Sequence, residues 1–121
     1  MDAFTVARGR DNLALSEAVF AEITDVLNRP RLVRFVRPEL RDRLLAQLAT
    51  GAHWFTPTEA VAECRDPNDD KYLELAVAAG AETIVSSDRD LLVLDPWRGV
   101  RIMRPAAYLA LVAKVAPVRP P

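Results

Sequence analysis

Apolar and polar residues follow one another in blocks that predict strands and helices in turn. Residues 13–16 form a short apolar run typical of a buried strand. Ser16 then suits a helix N-cap, and Glu17 suits the first helical turn. Apolar residues recur at helical spacing up to Asn28, at Val19, Phe20, Ile23, Val26 and Leu27. The pattern therefore predicts a strand followed by a helix that ends before Pro30.

The next block predicts a second helix and an edge strand. Pro38 is a good first helical position, and the helix should run over residues 38–49, where Thr50 and Gly51 stop it. Its apolar face should consist of Leu40, Leu44, Leu45 and Leu48. Residues 53–57 resemble an edge strand that ends at a proline. Residues 59–68 indicate a loop.

The last part of the chain repeats the alternation. A third helix should begin near residue 67 or 68, run to residue 79 and be capped by Gly80. Residues 83–87 and 100–103 predict two strands, separated by a turn or short helix over residues 88–94. Pro105 should open a final helix through about residue 114. The alternation predicts an α/β domain over residues 1–116 with a small, mainly parallel sheet, followed by a disordered tail at 117–121.

Composition narrows the possible classes of protein. The 121 residues suffice for one domain with its own core. One cysteine excludes an internal disulfide and makes a zinc site improbable, which suits a reducing cytoplasm. No apolar stretch is long enough to span a bilayer, and no secretory signal is evident. A net charge of −1 differs from that of proteins which hold nucleic acid by charge alone.

Three acidic residues should meet at one edge of the predicted sheet. Glu22 lies in the second turn of the first helix, Asp69 opens the third helix, and Asp88 follows a buried strand. In an open parallel sheet the carboxyl ends of the strands share an edge, where ligands bind. Converging carboxylates repel one another unless a cation lies between them, and oxygen ligands suit Mg²⁺ or Mn²⁺. Such ions serve phosphodiester hydrolysis.

Each acid taken singly also fits an ordinary structural role. Glu22 could be a solvated helix residue. Asp66, Asp69 and Asp70 could be capping residues, and Asp88 and Asp90 could form a turn. The residues alone leave this alternative open, and only their joint placement favours a metal site.

The segments over residues 66–81 and 83–92 resemble the second half of a PIN domain, most closely members described as toxin components. Residues 15–30 and 100–109 are similar to that family's first conserved helix and to its last strand and helix. The resemblance implies a three-layer α/β fold and cleavage of single-stranded RNA, in which water activated by Mg²⁺ or Mn²⁺ attacks the phosphodiester and leaves a 5′-phosphate. It also implies a cognate antitoxin as a partner.

The resemblance assigns site residues by position in the motif. Glu22, Asp69 and Asp88 match the family's principal acids and would be both catalytic and metal-binding. Asp66, Asp70 and Asp90 would be further metal ligands. Arg31, Arg34 and Arg89 are the expected RNA contacts, although arginines over residues 29–43 also fit a solvated face. His53 is expected to be structural.

The sequence departs from the family pattern at its beginning. The family's first strand ends in an Asp-Thr-Asn-like motif and supplies the first metal-binding acid, and no such strand is evident here. Residues 1–9 resemble instead the end of the helix that would follow it. We therefore expect an N-terminally truncated fold whose central strand is absent. Its two neighbours would have to pair directly or be bridged by another chain.

This departure leaves two functional hypotheses. The first is an RNA endonuclease with an incomplete acidic site, which a misassigned start codon would explain. The second is a catalytically inactive remnant of the fold that binds an antitoxin or forms a homodimer through exposed strand edges.

Overall fold

The structure, a computed structural model, describes residues 6–9 and 12–115. These residues form one five-stranded sheet with helices around it. The strands are β1 (Val6–Gly9), β2 (Asn12–Leu15), β3 (His53–Trp54), β4 (Thr83–Val85) and β5 (Arg101–Met103). The tail predicted at residues 117–121 lies outside the described residues.

The sheet has the order β3-β2-β1-β4-β5. β2 pairs with β3 in parallel, and β4 pairs with β5 in parallel. β1 lies between the two pairs and runs antiparallel to both β2 and β4. Four of the five strands therefore share one direction, which confirms the predicted α/β class with a small, mainly parallel sheet.

The central strand is where the sequence-based prediction was wrong. Residues 6–9 form a strand, not the end of a helix, and Ala7 pairs with Ala14 on one side and with Ile84 on the other. β2 and β4 thus neither pair directly nor need a second chain between them. The physical reason is that β2 and β4 would each expose an unpaired ladder of backbone groups, and an extended segment between them satisfies both.

β1 fills the central position with reversed polarity. Its sequence, Val-Ala-Arg-Gly, contains no acidic residue. Val6 pairs with Val85, so the amino end of β1 lies at the edge of the sheet where β4 has its carboxyl end. β1 therefore completes the sheet without adding an acid to that edge.

The helices are α1 (Glu17–Leu27), α2 (Pro30–Val33), α3 (Pro38–Gly51), α4 (Asp70–Ala79), α5 (Arg89–Leu92) and α6 (Pro105–Val115). The Ser16 hydroxyl accepts a hydrogen bond from the Val19 amide at 3.2 Å, which confirms the predicted N-cap of α1. α4 ends at Gly80, whose φ of 61° lies in the left-handed region that favours glycine.

Two details of the helical region differ from the prediction. The chain forms the short helix α2 where Pro30 was expected only to end α1. The apolar face of α3 is only partly covered, because Leu45 and Leu48 pack against the core while Leu40 and Leu44 remain about half exposed. Helical periodicity identified these four leucines as one apolar face, but it could not predict how many of them would pack against another part of the chain.

The core lies between the sheet and the helices that pack on it. Its most deeply buried apolar side chains are Leu15, Val19, Leu73, Leu75, Ile84, Leu91 and Ile102. α4 contacts β1, β2 and β4, and α1 packs against α4. In the described part of the chain, no helix combines the length and the hydropathy that crossing a bilayer would require.

Candidate metal centre

Three carboxylates meet at the edge of the sheet where β2 and β4 end. Asp69, Asp88 and Asp90 each place one oxygen within 4.8 Å of the other two. Asp69 precedes α4, Asp88 follows β4, and Asp90 lies in α5. Residues from two segments about twenty positions apart thus form a single group. The predicted topology had placed Asp69 and Asp88 at the same edge of the sheet.

Local hydrogen bonds fix this geometry. Asp88 is the N-cap of α5, and its Oδ1 accepts a hydrogen bond from the Asp90 amide at 2.8 Å. The Asp88 amide donates to the hydroxyl of the fully buried Ser86 at 2.9 Å. On the other side of the group, Asp69 ends a single 3-10 turn, Pro67–Asp69, which Asp66 caps by accepting a hydrogen bond from the Asn68 amide at 3.0 Å.

The electrostatics of the group are those of crowded carboxylates. Burial raises the pKa of Asp69 to about 7, and a hydrogen bond to Asp88, the Asp88 charge and the charges of Asp66 and Glu22 contribute in the same direction. Only 7% of the Asp69 surface is exposed. In the absence of a cation, Asp69 therefore keeps its proton up to about pH 7, well above the range of an ordinary carboxyl.

This donor set fits a divalent cation. All three ligands are carboxylate oxygens, which suit hard ions such as Mg²⁺ and Mn²⁺. Their separation leaves space for an ion among them. An ion there would offset the negative charges that, together with burial, raise the pKa of Asp69. The residues that could hold such an ion are Asp69, Asp88 and Asp90.

Glu22 lies beside this group and is held by two residues of α4. Its Oε1 is 2.5 Å from the Lys71 ammonium, and its Oε2 accepts a hydrogen bond from the Tyr72 hydroxyl at 2.6 Å. Both carboxylate oxygens of Glu22 therefore already have a donor from this chain. Its charge still reaches the metal group, because it contributes to the raised pKa of Asp69.

A pocket of about 390 Å³ adjoins the acids on the side of α1. Glu22, Asp66 and Asp69 line it, and the positive charges among its lining residues are those of Arg29 and Lys71. The other lining residues are Ala18, Ala21, Asp25 and Asn68. The pocket is therefore polar and open on one side to the candidate ligand Asp69.

Asp70 is not brought into the metal group. Its Oδ1 accepts hydrogen bonds from the Glu63 amide at 3.1 Å and from the Cys64 amide at 2.8 Å. Burial acts to raise the pKa of Asp70, but these two amides outweigh it and keep the pKa below its ordinary value. Asp70 thus anchors the loop before α4, although it is the immediate neighbour of Asp69.

The arginines that were expected to contact RNA have different positions relative to the acids. Arg89 directly follows Asp88 and is exposed. Arg31 and Arg34 are exposed in and just after α2, and neither lines the pocket. Arg65, which the sequence reasoning did not single out, forms an ion pair with Asp90 at 3.2 Å.

Sequence reasoning also missed Lys71, Tyr72 and Ser86. The signal for Tyr72 was available, because Tyr72 lies three residues after Asp69 and therefore near the same helical face. Lys71 could be suspected only from its place inside the acidic block. Ser86 directly follows β4, two residues before Asp88, and a fully buried polar side chain at such a position needs a partner.

Comparison with known protein families gives one match. The family model described as PIN domain matches residues 4–90, which include β1 and all the acids of the candidate centre. No curated protein and no solved structure matches the chain.

Proposed function

The chain belongs to the PIN domain family, whose members are in general metal-dependent nucleases, and we propose that this protein cleaves single-stranded RNA. The observation that carries the proposal is the convergence of Asp69, Asp88 and Asp90 within 4.8 Å. A domain whose acids were only helix caps would have no reason to bury one of them against another.

In the proposed reaction, a bound Mg²⁺ or Mn²⁺ supplies charge stabilisation at the phosphate and lowers the pKa of the attacking water. Asp69, Asp88 and Asp90 would hold the ion by their carboxylate oxygens. Because the pKa of Asp69 is raised to about 7, a proton on Asp69 would compete with the ion below that pH. Ser86 orients the Asp88 segment through the Asp88 amide.

The remaining acids act around these three. Glu22 and Asp66 line the adjoining pocket and add negative charge on the α1 side of the site. Glu22 contributes to catalysis through that charge and through its place beside Asp69. Asp70 supports the site by fixing the loop at Glu63 and Cys64. Arg89 is the first candidate for an RNA contact, because it adjoins Asp88, and Arg31 and Arg34 would contact RNA farther from the acids.

Cleavage of a labelled single-stranded RNA tests the proposal. We expect cleavage with 5 mM Mg²⁺ or Mn²⁺ at pH 8, ends that carry a 5′-phosphate, and no cleavage in EDTA. Asp69→Asn and Asp88→Asn should reduce the rate to the level seen in EDTA. Asp25→Asn removes a charge from the same pocket without touching the three ligands and serves as the matched control. Cleavage that survives in Asp69→Asn would show that a contaminating nuclease or another site is responsible.

A toxin role, with a cognate antitoxin as partner, is the second part of the proposal. The support is the segment over residues 33–44, in which Val33, Phe35, Leu40 and Leu44 are exposed, Phe35 to 84%. Arginines occur in and beside this segment at positions 31, 34, 37, 41 and 43. An acidic amphipathic helix of an antitoxin would match both the apolar side chains and the charge. RNA as substrate would place the activity in the cytoplasm.

Co-expression with the product of the neighbouring gene tests the antitoxin proposal. The complex should form with the unmodified chain and be lost in Phe35→Ser. Val93→Ser is the control, because Val93 is exposed to a similar degree outside the segment 33–44. Equal loss of the complex in both variants, or loss in neither, would show that this segment does not bind the antitoxin.

A second candidate function is a catalytically inactive domain that acts by binding. Two observations favour it: β1 contains no acid, and both oxygens of Glu22 are engaged by Lys71 and Tyr72. A homodimer through inner strand edges is no longer part of this alternative, because β1 pairs with both β2 and β4. Absence of Mg²⁺-dependent cleavage together with intact antitoxin binding would favour the inactive domain.

A further inference from the structure

The feature that the proposed nuclease site leaves unexplained is the pair formed by Lys71 and Glu22. The Lys71 ammonium lies 2.5 Å from Glu22 Oε1. Both side chains are only about a quarter exposed, so water screens this pair less than a surface ion pair. The ammonium also lies 5.9 Å from the centre of the Tyr72 ring. Lys71 is therefore held by the carboxylate and the ring together.

The position of the pair connects it to the metal group. Lys71 follows Asp69 by two residues, and Glu22, Lys71 and Asp69 line the same pocket. The Glu22 charge already acts on Asp69. An ion held at Asp69 would therefore bind more tightly because of the nearby Glu22 carboxylate. The Lys71 ammonium, however, already pairs with that carboxylate.

We propose that Lys71 is a positioning residue that competes with the divalent ion for Glu22 and so weakens ion binding at Asp69, Asp88 and Asp90. The inference rests on the proposed metal site and specifies how this chain regulates it. While Lys71 holds Oε1 and Tyr72 holds Oε2, Glu22 can act as a ligand only in competition with these two donors. An ion that draws on Glu22 must displace the ammonium and also overcome the repulsion between two nearby cations.

A purely structural role for the pair predicts the opposite sign. If Lys71 served only to tie α1 to α4, its loss would let Glu22 move away from Asp69, and the site would bind the ion more weakly or unchanged. Competition predicts tighter binding when the ammonium is removed. The direction of the change in ion affinity therefore separates the two roles without any measurement of catalysis.

The experiment is Mn²⁺ binding to the full chain at pH 8, followed by the electron paramagnetic resonance signal of free Mn²⁺. Lys71→Met keeps the contact with the Tyr72 ring while removing the charge, and it should bind Mn²⁺ about tenfold more tightly than the unmodified chain. Lys71→Gln provides a second variant, in case the methionine disturbs folding. In a Glu22→Gln background the same change should have an effect of less than about twofold.

Arg29→Met is the matched control. Arg29 lines the same pocket and its removal changes the net charge equally, but it pairs with Asp25 and not with Glu22. Its affinity should stay within about twofold of the unmodified chain. If Arg29→Met and Lys71→Met tighten Mn²⁺ binding equally, the net charge of the pocket explains the effect and the inference is wrong. Weaker binding in both Lys71 variants would also overturn it. If no form of the chain binds Mn²⁺, the proposed metal site itself is wrong, a result distinct from failure of the Lys71 inference.

Discussion

Replacement of Asp69 by asparagine should stabilise the metal-free chain at pH 8 and leave its stability unchanged at pH 4. The reason is the pKa of Asp69, which burial and Asp88 raise from the ordinary value of 3.8 to about 7. The folded chain therefore holds a proton between pH 4 and 7 that the unfolded chain releases. Its free energy of unfolding is highest below pH 4 and decreases as the pH rises towards 7.

The size of the effect follows from the same values. A pKa difference of roughly three units sets a ceiling of about 4 kcal/mol on the stability lost between pH 4 and pH 8. Because Asp69 lines a pocket that is open to solvent, part of the repulsion is screened, and we expect Asp69→Asn to gain about 2 kcal/mol at pH 8. For a chain of this size, that gain raises the melting temperature by about 8 °C.

Urea denaturation followed by circular dichroism, in EDTA and at pH values from 4 to 8, measures the effect. Asp25→Asn is the control, because Asp25 is a largely exposed carboxylate near the same pocket. The curve of the unmodified chain should fall with pH, and the curve of Asp69→Asn should be flatter. Parallel curves for the unmodified chain and Asp69→Asn would show instead that Asp69 ionises as an ordinary carboxylate.

Three further predictions concern residues around the site. Asp70→Ala should lower the free energy of unfolding by about 3 kcal/mol, because it leaves the Glu63 and Cys64 amides without their acceptor. Urea denaturation measures this loss, and a value under about 1 kcal/mol would contradict the prediction. Burial and Asp70 raise the pKa of the Cys64 thiol. The thiol should therefore react with iodoacetamide at pH 8 at least tenfold more slowly in the folded chain than in urea. Equal rates would show that the folded chain has an accessible thiolate. Ser16→Ala should cost about 1 kcal/mol through the lost cap at Val19, measured by thermal denaturation, and an unchanged melting temperature would show that the cap contributes nothing.

The parts of the fold that the sequence predicted are those with a strong local signal. α1 has a capping serine and a regular apolar stripe, and α4 has a glycine at its end, so their limits could be placed within a few residues. β1 has only four residues and no apolar run. Its conformation depends on ladders with β2 and β4, one of them about seventy-five residues away, and such non-local pairing leaves no periodic signal.

In the candidate site, too, some features could be predicted from the sequence and others depend on tertiary contacts. Convergence of Asp69 and Asp88 could be predicted from the α/β topology, because the start of a helix and the end of a parallel strand meet at the same edge of the sheet. The different orientations of Asp69 and Asp70 could not be predicted, because both open the same helix and both are buried. Which one faces the acids and which one faces the loop depends on the Glu63 and Cys64 amides. The engagement of Glu22 by Lys71 and Tyr72 likewise depends on how α1 packs against α4.

The most direct test of the metal centre is a crystal structure of the protein soaked in Mn²⁺ at pH 8, with the ion located by its anomalous scattering. If these acids form the metal centre, an anomalous peak should lie about 2.0–2.3 Å from carboxylate oxygens of at least two of Asp69, Asp88 and Asp90. A map without a peak among these three residues, or with Mn²⁺ bound only at another acidic position, would contradict this prediction.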